Sequence, residues 1–261
     1  MTTDSIEIHR GLADVYFDRT ESSFIDGKEG KLLYRGYNIH DLAEKSTFEE
    51  TSFLLLKGRL PTAVELGDFE SQLKSHRRLP DGIADLIRSY KSAHPMDVLR
   101  TVISAMSMFD SEATDLSPEA VLQKGMKVIA VTPTVIAAHA RVRQGGSIVE
   151  PDDDLGHAAN FLYMFFDCKP EIEVARLADK DFILHAEHGV NASTFAARVA
   201  ASTRADYYAA ITAGLAVLKG PLHGGAAEGV GRMAIEIGKP ENAENYVSGL
   251  RARGERVMGI G

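Results

Sequence analysis

The sequence predicts a mostly α-helical protein with one small hairpin near its N-terminus. Three observations carry this: helical apolar spacing from about residue 47 onward, N-cap signatures ahead of those stretches, and one strand–turn–strand pattern before them. In the first forty residues, 22–27 and 31–36 flank Asp-Gly and Glu-Gly turn signals, the pattern of a hairpin. Thr47-Phe48-Glu49-Glu50 reads as a capping box opening a helix through Leu56, with Gly58 as its stop. Thr62-Ala63-Val64-Glu65 repeats the device for a helix ending near Leu79-Pro80. Residues 81–93 and 96–109 show further helical spacing. Ser117 with Pro118 behind it is an N-cap with proline at the first helical position; that helix runs to Gln144, closes on Gly145-Gly146, and is expected to kink at Pro133. Residues 154–167, 170–203 and 206–218 complete the helical series.

The bulk properties narrow the function. The 261 residues suffice for one large domain or two modest ones, and 44% hydrophobic with 25% charged residues is ordinary for a soluble globular chain. A formal net charge of −8 argues against nucleic acid, whose phosphates need a basic surface. It leaves room for small anionic substrates held by a few arginines in a cleft. The single cysteine, Cys168, excludes an internal disulfide framework and suits a reducing cytosol. Residues 1–10 show no apolar signal region, and the longest uncharged apolar run, 128–138, is too short to span a bilayer and contains Pro133. A cytoplasmic protein without a membrane partner is expected.

Two segments carry chemistry. In the first, Leu184-His185-Ala186-Glu187-His188-Gly189-Val190-Asn191-Ala192-Ser193-Thr194-Phe195, two histidines three apart share a face of a predicted helix. They are open to three readings: structural histidines, a metal pair, or a substrate-binding histidine where the helix breaks at Gly189 and Asn191. The metal reading lacks the His-Glu-x-x-His spacing and a clear third ligand. In the second, Gly220-Pro221-Leu222-His223-Gly224-Gly225-Ala226, glycines surround one histidine at the start of a new helix. A helix N-terminus favours neutral imidazole as a donor, and the glycines admit a ligand close to the backbone. The alternative is a tight inter-helix turn with an incidental histidine. A dinucleotide loop is disfavoured, since no strand precedes the glycines and the G-x-G-x-x-G spacing is absent.

Together the two segments resemble the citrate synthase family, including the 2-methylcitrate synthases. The resemblance runs over essentially the whole chain and implies a large helical domain, 1–222, followed by the beginning of a small domain, 223–261. It implies an acyltransferase of the tricarboxylic acid cycle that condenses acetyl-CoA with oxaloacetate to citrate and CoA, or propionyl-CoA to 2-methylcitrate. By the same resemblance His188 binds the oxaloacetate carbonyl with Asn191 in the same substrate-side loop, and His223 donates to the thioester oxygen as the catalytic residue. Ser193 orients His223, and Val257, Met258, Gly259, Ile260 and Gly261 hold the CoA adenine. No metal and no redox cofactor is implied; the CoA thioester is a cosubstrate. An obligate homodimer is implied too, to which the alanine-rich helices (Ala137, Ala138, Ala140; Ala196, Ala197, Ala200, Ala201) contribute as interface or core.

The family pattern continues past Gly261, into the general-base aspartate and the arginines that clamp the substrate carboxylates. No aspartate of this chain matches that base: Asp179, Asp181 and Asp206 read as caps or solvated charges. The expectation is that these 261 residues alone bind CoA esters poorly and turn over negligibly. A truncated, non-catalytic helical dimerisation module is the competing class.

Overall fold

The computed structural model describes residues 18–259. Strand β1 (Ser23–Asp26) pairs antiparallel with β2 (Lys31–Tyr34), as the hairpin pattern predicts. A third strand, β3 (Tyr37–Asn38), which the sequence reading does not anticipate, returns along β2. The connecting residues Arg35 and Gly36 both have positive φ, 48° and 89°, so a two-residue turn closes where no Asn-Gly signal stands.

Twelve α-helices follow among the described residues. They are α1 (Ile39–Lys45), α2 (Phe48–Lys57), α3 (Ala63–Ser75), α4 (Asp81–Ser89), α5 (Pro95–Ala105), α6 (Pro118–Arg143), α7 (His157–Phe166), α8 (Ile172–His185), α9 (Ala192–Ser202), α10 (Tyr207–Leu218), α11 (Gly225–Ile237) and α12 (Ala243–Ala252). A 3₁₀ turn, Met106–Phe109, extends α5. The mostly α architecture therefore stands.

Local chemistry accounts for most helix ends. Thr62 and Glu65 form a full capping box: the Thr62 hydroxyl accepts from Glu65 N–H, and the Glu65 carboxylate accepts from Thr62 N–H at 2.9 Å. At α2 only half the box forms; Thr47 accepts from Glu50 N–H, while the Glu50 side chain takes the Ser46 hydroxyl at 2.7 Å. Ser117 caps α6, and Gly58 ends α2 with φ 81°. Three predicted helices end early: α3 at Ser75, α4 at Ser89, and the stretch 170–203, which is two helices separated by residues 186–191.

The core lies where α4, α5, α6 and α10 meet, with Val98, Val102, Ile103, Val131, Val135 and Tyr208 buried together. A second cluster joins β2, α1, α2 and α8 through Tyr34, Leu42, Leu54 and Ile183. Among the described residues α6 alone is long and apolar enough to cross a bilayer, and its apolar side chains are spent in this core. Buried or half-buried charges also cap helices from a distance. Asp179 accepts from Phe48 N–H at the start of α2, Glu49 accepts from His157 N–H at the start of α7, and Arg176 donates to the Ala43, Glu44 and Ser46 carbonyls at the end of α1. Each satisfies an orphaned backbone group that a helix end leaves behind.

Candidate active site

The first segment breaks because other parts of the chain take its backbone groups. The fully buried Tyr34 donates its hydroxyl hydrogen to the Ile183 and Leu184 carbonyls at the end of α8, and the same oxygen accepts from Glu187 N–H at 3.2 Å. Burial, chiefly, holds the Tyr34 hydroxyl above its usual pKa, so it stays a donor. Glu187 in turn accepts from Ser22 and from Gly189 N–H, and Gly189 adopts φ 70°. His185 is therefore the last residue of α8 and His188 lies in the loop, so the expectation that they share a helix face is wrong. His185 is exposed and its Nδ1 donates to the Asp181 carbonyl at 2.8 Å, a structural histidine. His188 is exposed, three residues ahead of Asn191, and makes no hydrogen bond to the described residues.

Helix α9 opens on Asn191, whose Oδ1 accepts from Thr194 N–H at 2.8 Å, an N-cap. The same oxygen accepts the Ser193 hydroxyl hydrogen at 2.7 Å. Ser193 Oγ then lies 3.0 Å from His223 Nε2. Helices α9 and α10 approach closely enough for this because Gly214 faces Ser193; a Cβ at Gly214 would lie 3.2 Å from the Ser193 carbonyl oxygen.

The second segment is a compact turn at the N-terminus of α11. His223 N–H donates to the Gly220 carbonyl and Gly224 N–H to the Leu218 carbonyl, both at 2.9 Å. A Cβ on Gly224 would sit 2.5 Å from that oxygen and 2.8 Å from Leu218 Cδ1, so only glycine fits. The turn is tethered to α5. Lys219 donates to both Asp97 oxygens at 2.6 and 2.7 Å, and Arg100 adds a third contact at 2.9 Å. Lys219, chiefly, holds the Asp97 carboxyl below the usual carboxylate range. His94 caps α5 through Nδ1, while its Nε2 faces Glu228 of α11 at 3.5 Å. Helix α11 has no buried residue, and the Glu228 contact ties it to the start of α5. Sequence reading missed both tethers; the signal was Lys219 and Glu228 flanking the glycine–histidine motif, with partners over a hundred residues away.

Of the predicted site, Asn191, Ser193 and His223 come together in one hydrogen-bonded chain, and no hydrogen bond joins His188 to it. Met258 and Gly259, which follow Val257, lie against α11: a Cβ on Gly229 would lie 3.0 Å from Met258 Cγ, and one on Gly259 would lie 2.6 Å from Val230 Cγ2. Ile260 and Gly261 fall outside the described residues. Among the described residues no group of three or more His, Cys, Asp and Glu side chains is placed to hold a metal ion. The candidate carboxylates are spent elsewhere: Asp179 caps α2 and pairs with Arg176, Asp181 contacts His185, and Asp206 caps α10.

Comparison with known proteins agrees with this fold. Residues 11–261 match the family described as citrate synthase, C-terminal domain. A citrate synthase of Deinococcus radiodurans is 46% identical over 97% of this chain and 68% of its own length. A 2-methylcitrate synthase of Mycobacterium tuberculosis is 42% identical over 98% of this chain and 65% of its own. The solved citrate synthase of Pyrobaculum aerophilum superposes with a TM-score of 0.89 at 43% identity, covering 97% of this chain and 66% of that one. That of Thermoplasma acidophilum, solved as a ternary complex with carboxymethyl coenzyme A and oxaloacetate, gives 0.92 at 31% identity, covering 98% and 68%. The chain thus spans about two thirds of the length of the relatives it matches. On this match and this fold, the chain belongs to the citrate synthase family.

Proposed function

We propose that this chain carries the acyl-CoA half of a condensing site, in which His223 donates to the thioester oxygen of acetyl-CoA and His188 polarises the keto group of oxaloacetate, giving citrate and CoA. The observation that carries the reading is His223, held by Ser193 at 3.0 Å, at the N-terminus of α11 in a tight turn that only glycine at 224 allows to close. Removing a methyl proton from a thioester puts negative charge on its oxygen, and a preorganised donor beside a helix N-terminus stabilises that charge. Val257, with Met258 and Gly259 against α11 and Ile260 and Gly261 after them, is the proposed seat of the CoA adenine. The proton-abstracting carboxylate is proposed to come from outside these residues, since Asp179, Asp181 and Asp206 are committed as above. Residues 1–261 alone are then slowed by the roughly two to four orders of magnitude that general-base catalysis contributes. Chemistry of this kind needs no metal or redox cofactor. The protein is proposed to work in the cytoplasm as a homodimer; α9, none of whose residues is buried, is the surface a second copy would cover. Residues 1–222 would form the large domain and 223–261 the start of the small one.

Propionyl-CoA, giving 2-methylcitrate, is the second substrate considered, because the 2-methylcitrate synthase above is nearly as similar to this chain as the citrate synthase. One methyl is worth only about 1–3 kcal/mol in a pocket. The test uses this chain and a fusion completed with the C-terminal third of the Deinococcus enzyme. Oxaloacetate-dependent CoA release is expected from the fusion, with a higher kcat/KM for acetyl-CoA. A propionyl-CoA preference would reverse the ordering, and release from neither ester would overturn the enzyme reading.

A further inference from the structure

The segment 219–228, with His223 near its middle, is placed by polar contacts and not by the core. The core cluster that fixes α10 reaches only as far as Leu215, and of the described residues 215–249 none is buried. Within the turn the backbone closes on its own carbonyls, His223 N–H on Gly220 and Gly224 N–H on Leu218. Those bonds set the shape of the turn but not where it sits. Among the described residues, the hydrogen bonds and ion pairs of 219–228 to other elements are Ser193–His223, Lys219–Asp97 and His94–Glu228. Two of them end on the first turn of α5, at its N-cap His94 and its third residue Asp97. They grip the chain four residues before His223 and five after it. We propose that Asp97 and His94 are positioning residues: the first turn of α5 is a two-point anchor that holds the His223 ring where it can reach an acyl oxygen.

This deepens the functional reading above and rests on it where catalysis is concerned. Asp97 is the stronger point. It lies where the free N–H groups of α5 favour a carboxylate, and Arg100 holds it at 2.9 Å, so the anion is fixed on its own helix before it meets Lys219. The Lys219 ammonium then takes both Asp97 oxygens, at 2.6 and 2.7 Å, which sets direction as well as distance. At the other point His94 Nδ1 accepts from Met96 N–H at 3.2 Å, so the neutral ring carries its hydrogen on Nε2, the atom that faces Glu228 Oε2 at 3.5 Å. The other Glu228 oxygen is taken by Arg232. The Asp97 and Lys219 side chains are 34% and 35% exposed, so their pairing adds little to the stability of the fold. Its value is geometric, because a displacement of about 1 Å can cost about 10²-fold in rate.

The test reads the ring and the rate separately. Ring-nitrogen NMR is recorded on the chain without substrates, with the His223 signals assigned by their loss in His223→Gln. Ser193→Ala supplies the signals of a ring released from α9. Asp97→Asn should move the His223 signals most of the way to that reference. Asp97→Glu, whose carboxylate the flexible Lys219 stem can still meet, should keep them native. His94→Asn can still cap α5 but is too short to meet Glu228, and it should move the signals in the same direction; native signals there would remove His94 from the anchor. In the fusion, Asp97→Asn is expected to lower kcat about tenfold or more while KM changes less than about twofold, and Asp97→Glu should recover most of the loss. Lys219→Met should match Asp97→Asn, and the pair together should cost no more than either alone, because both break one contact. Should Asp97→Asn fail to fold, Lys219→Met takes its place. Folded Asp97→Asn and Lys219→Met proteins with native ring signals would overturn the anchor. So would a loss of rate that follows the melting temperature and that Asp97→Glu leaves unrestored. A fusion that releases no CoA while the ring responds as expected defeats the functional reading and leaves the anchor standing.

Discussion

Replacing His223 with alanine is expected to lower kcat of the fused protein by about 10²–10³-fold while leaving its melting temperature nearly unchanged. Loss of one preorganised oxyanion donor costs that much in enzymes where it has been removed. The ring is only half-buried and its one side-chain hydrogen bond among the described residues is with Ser193, so little folding energy goes with it. The check is a pair of saturation curves: the fall should sit in kcat more than in KM, as expected for a contact made in the transition state. An unchanged kcat would remove His223 from the chemistry.

The second large effect is on stability in mild acid, and it centres on His157. The residue begins α7, is 3% exposed, and stacks on Phe48 with ring centroids 4.8 Å apart. Burial, with Arg77 nearby, pushes its pKa down to about 3. The helix N-terminus also disfavours a cation there. A histidine depressed in the folded state stabilises the fold above its unfolded value and loses that contribution as pH falls. From about pH 6.5 downward the unfolded chain takes up a proton that the folded one resists, costing about 1.4 kcal/mol per pH unit. Glu49, whose pKa burial raises, works in the opposite sense, since its ionised form is the costly one. The His157 N–H that donates to it at 2.6 Å favours the ionised form and opposes that rise. Urea titrations at pH 6.5 and 4.5 should therefore show a loss of roughly 2 kcal/mol that His157→Phe largely abolishes. Phenylalanine keeps the stacking on Phe48 and has no proton to take. The same loss in the variant would show that other groups govern acid unfolding.

Local chemistry made much of this legible. Thr62 with Glu65, Ser117 with Pro118, and Gly58 act through neighbours within a few residues, and the structure bears each of them out. The glycine–histidine turn belongs to the same class, because what Gly224 avoids is the carbonyl of Leu218, six residues earlier. The helix break at 186–191 was harder to see. Gly189 and Asn191 marked a possible break in the sequence, but its other cause is Tyr34, some 150 residues upstream, which takes the backbone groups at the end of α8. The Lys219–Asp97 tether was invisible for the same reason, and so was the capping of α2 by Asp179. Asn191 shows both sides. The residue was picked out by its motif, but its bonds to Thr194 and Ser193 make it a helix cap and hydrogen-bond acceptor first.

The central claim is that the His223 turn polarises an acyl-CoA carbonyl, and polarisation can be measured before any turnover. Carbonyl-labelled acetyl-CoA, bound to the fused protein without oxaloacetate, would be observed by carbon NMR and compared with the ester bound to His223→Ala. A donor aimed at the oxygen should move the carbonyl resonance downfield on binding, and the shift should vanish in the variant. A bound ester whose carbonyl is unshifted, or a shift that survives loss of the imidazole, would contradict the account.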